Sequence, residues 1–272
     1  MERIKQALER ARAERQGSTA TLTPATDINR AGTARAADNR RSHEQVTYSQ
    51  TRHVDVSANE LRDKRVVSAF EPSAFTDAYK ILRTQVLQRL NENNWNVLAV
   101  TSPGHGEGKS LTALNLAVSI AMEIGHTVLL VDANLRHPSV HTHLGLAGEP
   151  GLSDYLLDDL PLNELFVHPK GIDHLTLLPG GRPLQNSAEM LNSPKMSRLV
   201  EELKSRYAGR IVVFDLPPVL NAADAMAFAP YVDATLLVVE DGKTRRKEIE
   251  HALELLSSTN VLGTVLNKAG PH

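Results

Sequence analysis

Thr101-Ser102-Pro103-Gly104-His105-Gly106-Glu107-Gly108-Lys109-Ser110 stands between the apolar run Val97–Val100 and a second apolar run that begins at Leu111. An apolar strand, a glycine-rich turn and an apolar helix, in that order, make a phosphate-binding loop. Glycines let backbone N–H groups point into one concavity with no side chain in the way. The concavity lies at a helix N-terminus, where free N–H groups and the helix dipole favour an anion. We therefore assign Gly104, His105, Gly106, Glu107, Gly108, Lys109, Ser110 and Leu111 to nucleotide binding. Lys109 is placed to reach β- and γ-phosphates, and the Ser110 hydroxyl to ligate Mg2+. One position departs from the strict G-x-x-x-x-G-K-[ST] pattern: Pro103 stands where the first glycine belongs.

Two further apolar runs end in an aspartate. Val128-Leu129-Leu130-Val131 leads into Asp132-Ala133-Asn134-Leu135-Arg136, and Ile211-Val212-Val213-Phe214 leads into Asp215-Leu216-Pro217-Pro218. In an open α/β sheet, ligands bind beyond the carboxyl ends of the strands. Strands from 97, 128 and 211 would thus bring Lys109, Asp132 and Asp215 to one crevice. Prolines cannot continue a ladder of hydrogen bonds, so the third strand stops at Pro217-Pro218. A lone aspartate at a strand end is an ordinary turn or cap residue, whereas two beside a phosphate loop read as metal and catalytic groups.

The remaining pattern alternates strands and helices. Further strands are expected at Leu175–Leu178, Thr235–Val239 and Val261–Leu266, mostly as continuous apolar runs covered on both faces. Helices are expected over about 74–92, over Leu111–Glu123 with Gly125 ending it, and along two stripes: Met196, Leu199, Val200, Leu203 and Tyr207 after Ser193-Pro194, then Ile249, Ala252, Leu253 and Leu256. The fold class is α/β, a mostly parallel sheet with helices on both faces.

Composition sets wider limits. The chain has 272 residues, with 30 Lys plus Arg against 32 Asp plus Glu, so a nucleic-acid partner is not expected. Cysteine is absent, which excludes disulfide scaffolds, thiolate metal sites and cysteine nucleophiles. No apolar run approaches the ~18–20 residues of a membrane span, and Met1–Gln16 is too charged for a secretory leader. Charge is uneven: residues 1–65 hold 13 Lys/Arg and 9 Asp/Glu. Residues 1–16 read as a short amphipathic helix and 17–57 as a flexible linker rich in Ser, Thr, Ala, Asn and Arg. The division expected is 1–66 for this extension and 67–272 for the loop-bearing domain.

These three strand-and-loop elements resemble the Walker A, A′ and B motifs of bacterial tyrosine autokinases of capsular and exopolysaccharide biosynthesis. The similarity continues in Gly151-Leu152-Ser153-Asp154-Tyr155-Leu156, in the segment from Leu178-Pro179-Gly180-Gly181 to Glu189-Met190-Leu191, and in Leu262-Gly263-Thr264-Val265-Leu266-Asn267. It spans roughly residues 68–268 and implies a P-loop NTPase-like fold. Asp77-x-x-Lys80-x-x-Arg83 is similar to the acidic–basic–basic pattern that the family uses for subunit contacts in a ring, with Asp for Glu and Lys for the first Arg.

The resemblance implies phosphoryl transfer from ATP, with Mg2+, to a tyrosine hydroxyl. Lys109 would hold the phosphates and Asp132 would accept or orient the hydroxyl proton, as catalytic groups. Ser110 and Asp215 would hold the metal, Asn267 would approach the adenine, and Asp77, Lys80 and Arg83 would make the oligomer contact. It also implies a homo-oligomer, a transmembrane polysaccharide chain-length adaptor as partner, and a cytoplasmic, peripheral place at the inner face of the plasma membrane. Partition and septum-placing ATPases carry a second lysine five residues before the loop lysine, where Gly104 stands.

Two positions depart from the family pattern. Asn134 replaces the second acidic residue of Asp-x-Asp; it offers an oxygen but no charge. No tyrosine follows Tyr231, and the others are Tyr48, Tyr79, Tyr155 and Tyr207. Both favour an alternative, an ATP-binding interaction module that cycles between oligomer and monomer at a membrane partner without phosphorylating tyrosine. Lys109, Asp132 and Asp215 favour the kinase. His137, His141 and His143 have metal-like spacing without an adjacent acidic partner and read as a polar turn. Lys243-Thr244-Arg245-Arg246-Lys247 reads as a basic run facing solvent at a helix start.

Overall fold

The structure is a computed structural model that describes residues 51–66, 73–205, 209–221 and 223–270. The helix expected over 1–16, most of the linker, Tyr48 and Tyr207 lie outside the described residues. Within them the strands are β1 (Arg52–Val54), β2 (Val97–Thr101), β3 (Thr127–Asp132), β4 (Val167–Pro169), β5 (Leu175–Leu178), β6 (Arg210–Asp215), β7 (Ala234–Glu240) and β8 (Asn260–Asn267). They form one sheet in the order β1-β4-β5-β3-β6-β2-β7-β8. Every neighbouring pair is parallel except β4–β5.

The helices are α1 (Ala58–Asp63), α2 (Ala74–Asn93), α3 (Lys109–Ala121), α4 (Val140–His143) and α5 (Leu152–Asp158). They continue with α6 (Leu162–Leu165), α7 (Ser187–Leu191), α8 (Pro194–Ser205), α9 (Asp224–Phe228) and α10 (Arg246–Leu255). Because side chains alternate along a strand, each central strand feeds two cores. Val97, Ala99, Val131, Val212, Phe214 and Leu237 pack in one cluster with Met196, Leu199 and Leu203 of α8, Phe228 of α9 and Ala252 of α10. Leu98, Val100, Leu130, Val213 and Val238 pack in the other with Val86, Leu87 and Leu90 of α2 and the apolar length of α3. A fully buried side chain of this size contributes about 1.5–3 kcal/mol, so the sheet is anchored from both faces.

Local signals in the sequence account for several boundaries. Pro194 opens α8, and the Ser193 Oγ accepts the Met196 N–H at 3.2 Å, a side-chain cap for an otherwise orphan donor. The helix α3 is buried from Thr112 to Ala121, as an all-round apolar helix must be. It ends at Ala121, and Gly125 occupies the turn to β3 with φ +98°. Gly151 has no room for a side chain, since a Cβ there would lie 2.0 Å from the Pro179 carbonyl oxygen. That close approach seats α5 on the loop after β5: the Leu152 N–H donates to Pro179 O at 2.8 Å.

Four expectations need correction. Arg52–Val54, read as linker, is strand β1, parallel to β4. Leu61 and Val66, which precede the boundary expected at 67, belong to the α3-side core, and the Asn115 Nδ2 donates to Arg65 O at 3.0 Å. Leu253, counted in the apolar stripe of the last helix, is exposed, while Ala252 and Leu256 are buried. The strand β8 lies at the sheet edge and is half-exposed along its length instead of covered on both faces.

Candidate active site

The strands β3, β6 and β2 are neighbours in the sheet, so the loops leaving their carboxyl ends emerge side by side. The Cα register pairs Asp132 with Asp215, and Asp215 with Val100 just before the phosphate loop. Paired residues on parallel neighbours point to the same face. Alternation puts both aspartates on the face of Leu130 and Val213, the one that α3 covers. Lys109 and Ser110 are the first residues of α3. The sheet thus brings together the four side chains that the sequence singled out for catalysis and metal binding.

The Lys109 Nζ donates to Ser110 Oγ at 2.9 Å and to Asp215 Oδ1 at 3.4 Å. Asp215 is fully buried, and its Oδ2 has no hydrogen-bond partner. Asp132 is also fully buried. Its Oδ2 accepts the Ser139 and Val140 N–H groups at 2.8 and 2.9 Å, and its Oδ1 accepts the Asn134 N–H at 3.3 Å. Burial, then the neighbouring Asp215 charge, push the Asp132 carboxyl up to about 7, against the pull of those N–H groups and of Lys109.

Asn134 is buried; its Nδ2 donates to His137 O at 2.9 Å, and its Oδ1 lies buried without a partner. Arg136, in the same loop, reaches the fully buried Asp224 of α9 at 3.7 Å. Sequence reading did not mark Asp224. Its signal was an acidic residue in an otherwise apolar stretch beyond Pro217-Pro218.

The wall of the phosphate loop is built from the far side of the sheet. Glu107 is buried: its Oε2 accepts the Gly104 N–H at 3.0 Å and its Oε1 accepts the Thr244 hydroxyl at 2.6 Å. The Asn267 Nδ2 donates to Glu107 O at 2.8 Å, and the Lys268 Nζ to Gly106 O at 2.7 Å. His105 and Gly106 are exposed, and the His105 ring lies 6.3 Å from that of His137. In the basic run, Lys243 and Arg245–Lys247 are exposed as expected, but the Thr244 hydroxyl is tied inward.

The stripe on α2 divides. Asp77 and Lys80 form an exposed pair at 3.0 Å. Arg83 pairs with Glu123 at 2.7 Å and donates to Ser119 O at 2.9 Å, so it braces α2 against the end of α3 in its own chain. His137, His141 and His143 do not gather: among the described residues no cluster of three or more His, Asp or Glu could hold a metal ion. Burial lowers the pKa of His141 and His143. No helix among the described residues is long and apolar enough to cross a membrane.

No family model matches the chain. It is 35% identical over 207 residues to the tyrosine-protein kinase YwqD of Bacillus subtilis (strain 168), covering 75% of this chain and 86% of that protein. The chain belongs to the bacterial tyrosine-protein kinases. The succinoglycan biosynthesis transport protein ExoP of Rhizobium meliloti (strain 1021) is also similar, 33% identical over 217 residues, which cover 76% of this chain and 26% of that longer protein. Among solved structures, the VpsO kinase domain superposes with a TM-score of 0.66 at 30% identity, covering 77% of this chain and 98% of that one. The tyrosine-kinase resemblance read from the three motifs is thereby borne out, as is the mostly parallel, P-loop NTPase-like sheet.

Proposed function

We propose that this tyrosine kinase transfers the γ-phosphoryl group of ATP to a tyrosine hydroxyl at the crevice formed by the ends of β2, β3 and β6. One observation carries the reading: Lys109, Ser110, Asp132 and Asp215 meet there, on elements that the sheet order fixes. Phosphoryl transfer asks the protein mainly for positioning and charge stabilisation. The Lys109 ammonium and the loop N–H groups hold the β- and γ-phosphates. The donor set suits Mg2+, a hard cation that prefers oxygen and takes few protein ligands. Ser110 Oγ and the unpartnered Asp215 Oδ2 would hold it, and the ion would supply charge neutralisation for phosphoryl transfer.

Asp132 is the base. A carboxyl that titrates near 7 is matched to proton transfer at neutral pH. Its Oδ2 is engaged by two N–H groups, and its Oδ1 by one longer contact. Oδ1 therefore keeps acceptor capacity for the tyrosine hydroxyl. The three described tyrosines are engaged in the fold: Tyr79 on α2 beside α3, Tyr155 beneath the Lys195 ammonium at 4.6 Å, and Tyr231 donating to Asn192 Oδ1 at 3.2 Å. The acceptor is a tyrosine outside these three.

The wider role is in capsule or exopolysaccharide assembly, with a transmembrane chain-length adaptor that holds the kinase at the inner face of the plasma membrane. Support comes from relatives such as ExoP, in which the matching segment is about a quarter of a longer transport protein. Asp77 and Lys80, exposed on α2, are the candidate contacts for a homo-oligomer. Incubation of the protein with MgATP, alone and with the adaptor, followed by phosphotyrosine mapping by mass spectrometry, tests the reading. Phosphotyrosine on either protein, lost in Lys109→Met, is expected; none on either, with ATP still bound, leaves the interaction module as the function.

A further inference from the structure

The carbonyl groups of the phosphate loop are held from outside the loop. The Lys268 Nζ grips Gly106 O at 2.7 Å and the Asn267 Nδ2 grips Glu107 O at 2.8 Å. A trans peptide is planar, and its C=O and N–H point in opposite directions. Fixing Gly106 O toward β8 therefore turns the Glu107 N–H away from β8, and fixing Glu107 O does the same for the Gly108 N–H. The Glu107 side chain completes the hold. Its carboxylate closes on the Gly104 N–H at 3.0 Å and on the Thr244 hydroxyl at 2.6 Å. Thr244 Oγ1 in turn accepts the Glu240 N–H at 2.8 Å, which ties it to the end of β7. Glu240 Oε2 holds Lys243 at 3.0 Å and Lys268 at 3.1 Å.

We propose that Thr244, Asn267 and Lys268 form an outer clamp that aims the N–H groups of Glu107 and Gly108 at the nucleotide phosphates. They are positioning residues, and the proposal rests on the nucleotide reading of the loop. The clamp engages loop oxygens and a single loop N–H, that of Gly104, which leaves the donors an anion needs. Asn267 has a different part from the adenine contact expected of it: its Nδ2 holds the loop and its Oδ1 accepts the Lys268 N–H at 2.9 Å. The fit is close, since a Cβ on Gly108 would lie 2.0 Å from Asn267 Nδ2. Glu107 is a part of the frame, with both carboxylate oxygens engaged within the protein.

The test is calorimetric titration of MgATP into the full chain and into Thr244→Val, Thr244→Ser and Asn267→Ala, with thermal melting of each. Thr244→Val and Asn267→Ala are expected to bind about tenfold more weakly, or ~1.4 kcal/mol. Thr244→Ser, which keeps the hydroxyl, should stay within about twofold of the parent. Thr244→Val also leaves the buried Glu107 carboxylate without a donor and should melt below Thr244→Ser, so the titrations are run well below both melting temperatures, where both variants are folded. Parental affinity in both Thr244→Val and Asn267→Ala overturns the clamp, as does equal weakening by Thr244→Ser and Thr244→Val. Should the parent chain itself bind no MgATP, the nucleotide reading fails. The clamp is then judged by the amide resonances of Glu107 and Gly108 on titration with inorganic tripolyphosphate: a response in the parent that Thr244→Val lacks supports it, and none overturns it.

Discussion

Asp132 and Asp215 are register partners at the ends of adjacent parallel strands, and both are completely buried. Lys109 is shared unevenly between them: its Nζ contacts Asp215 Oδ1 at 3.4 Å, while Asp132 leans on backbone N–H groups. Burial raises the proton affinity of Asp132, and the charge of Asp215, its register partner, raises it further.

The same shift fixes a pH dependence of stability in the nucleotide-free protein. Asp132 has an ordinary value of 3.8 and is raised to about 7 in the fold. Between these values the folded chain holds a proton that the unfolded chain has released. Its contribution is complete below the lower value and is lost as pH rises toward 7. Asp132→Asn removes the titration. The parent should lose on the order of 2–4 kcal/mol relative to Asp132→Asn between pH 4 and pH 8. Urea denaturation at several pH values measures this, and parallel curves for the two proteins would refute the assignment.

Arg136 is the cation beside Asp224, whose carboxylate is fully buried with both oxygens lacking hydrogen bonds. Removing one member of such a pair costs more than removing both, because a buried charge is left alone. Arg136→Met should destabilise the protein by roughly 2–4 kcal/mol, and adding Asp224→Asn to it should recover part of that loss. Chemical denaturation of the two single variants and the double gives the cycle. Additive losses would show that the two side chains do not interact.

The centre of the sheet was legible because its strands are buried on both faces. Val97–Thr101 and Leu175–Leu178 match their expected bounds, and the other central strands extend by a residue at each end. The edges were not. Arg52-His53-Val54 and Val167-His168-Pro169 are short and partly polar, with no apolar run to announce them. They are strands because a neighbour pairs with them, and pairing between residues over a hundred positions apart leaves no local trace. The site divides in the same way. Lys109, Asp132 and Asp215 were legible because each follows an apolar strand. Thr244 was hidden among lysines and arginines, which promise solvent, and its partner Glu107 lies 137 residues away.

Asn134 offers a test of the departure from the acidic A′ pattern. Its Nδ2 serves His137 O, and its Oδ1 is buried without a partner beside the Asp132 loop. Asn134→Asp would add a carboxylate near the crevice but withdraw the donor from His137 O. Mg2+ affinity in the presence of ATP should rise by about tenfold, since charge dominates binding of a hard cation. Stability without ligand should fall by about 1–3 kcal/mol, the cost of a buried acceptor left unmade. Magnesium titration and thermal melting measure the two. A tighter site at no cost in stability would show that the His137 contact contributes nothing.

Lys109 answers for both halves of the site. Its ammonium is the cation in contact with the buried Asp215, and it is also the group expected on the β- and γ-phosphates. In Lys109→Met the long stem is kept and the charge removed. Two charge-assisted hydrogen bonds are lost, each worth about 1.5–3 kcal/mol. ATP affinity should therefore fall by at least about 150-fold, and Asp215 is left buried without its cation. Stability of the nucleotide-free protein should fall with it. Adding Asp215→Asn should restore stability but not affinity, because the neutral amide removes the lone charge and supplies nothing to the phosphates. Calorimetric titration with ATP and urea denaturation of the parent, the single variant and the double separate the two roles. ATP binding at parental affinity in Lys109→Met would remove the loop from nucleotide recognition.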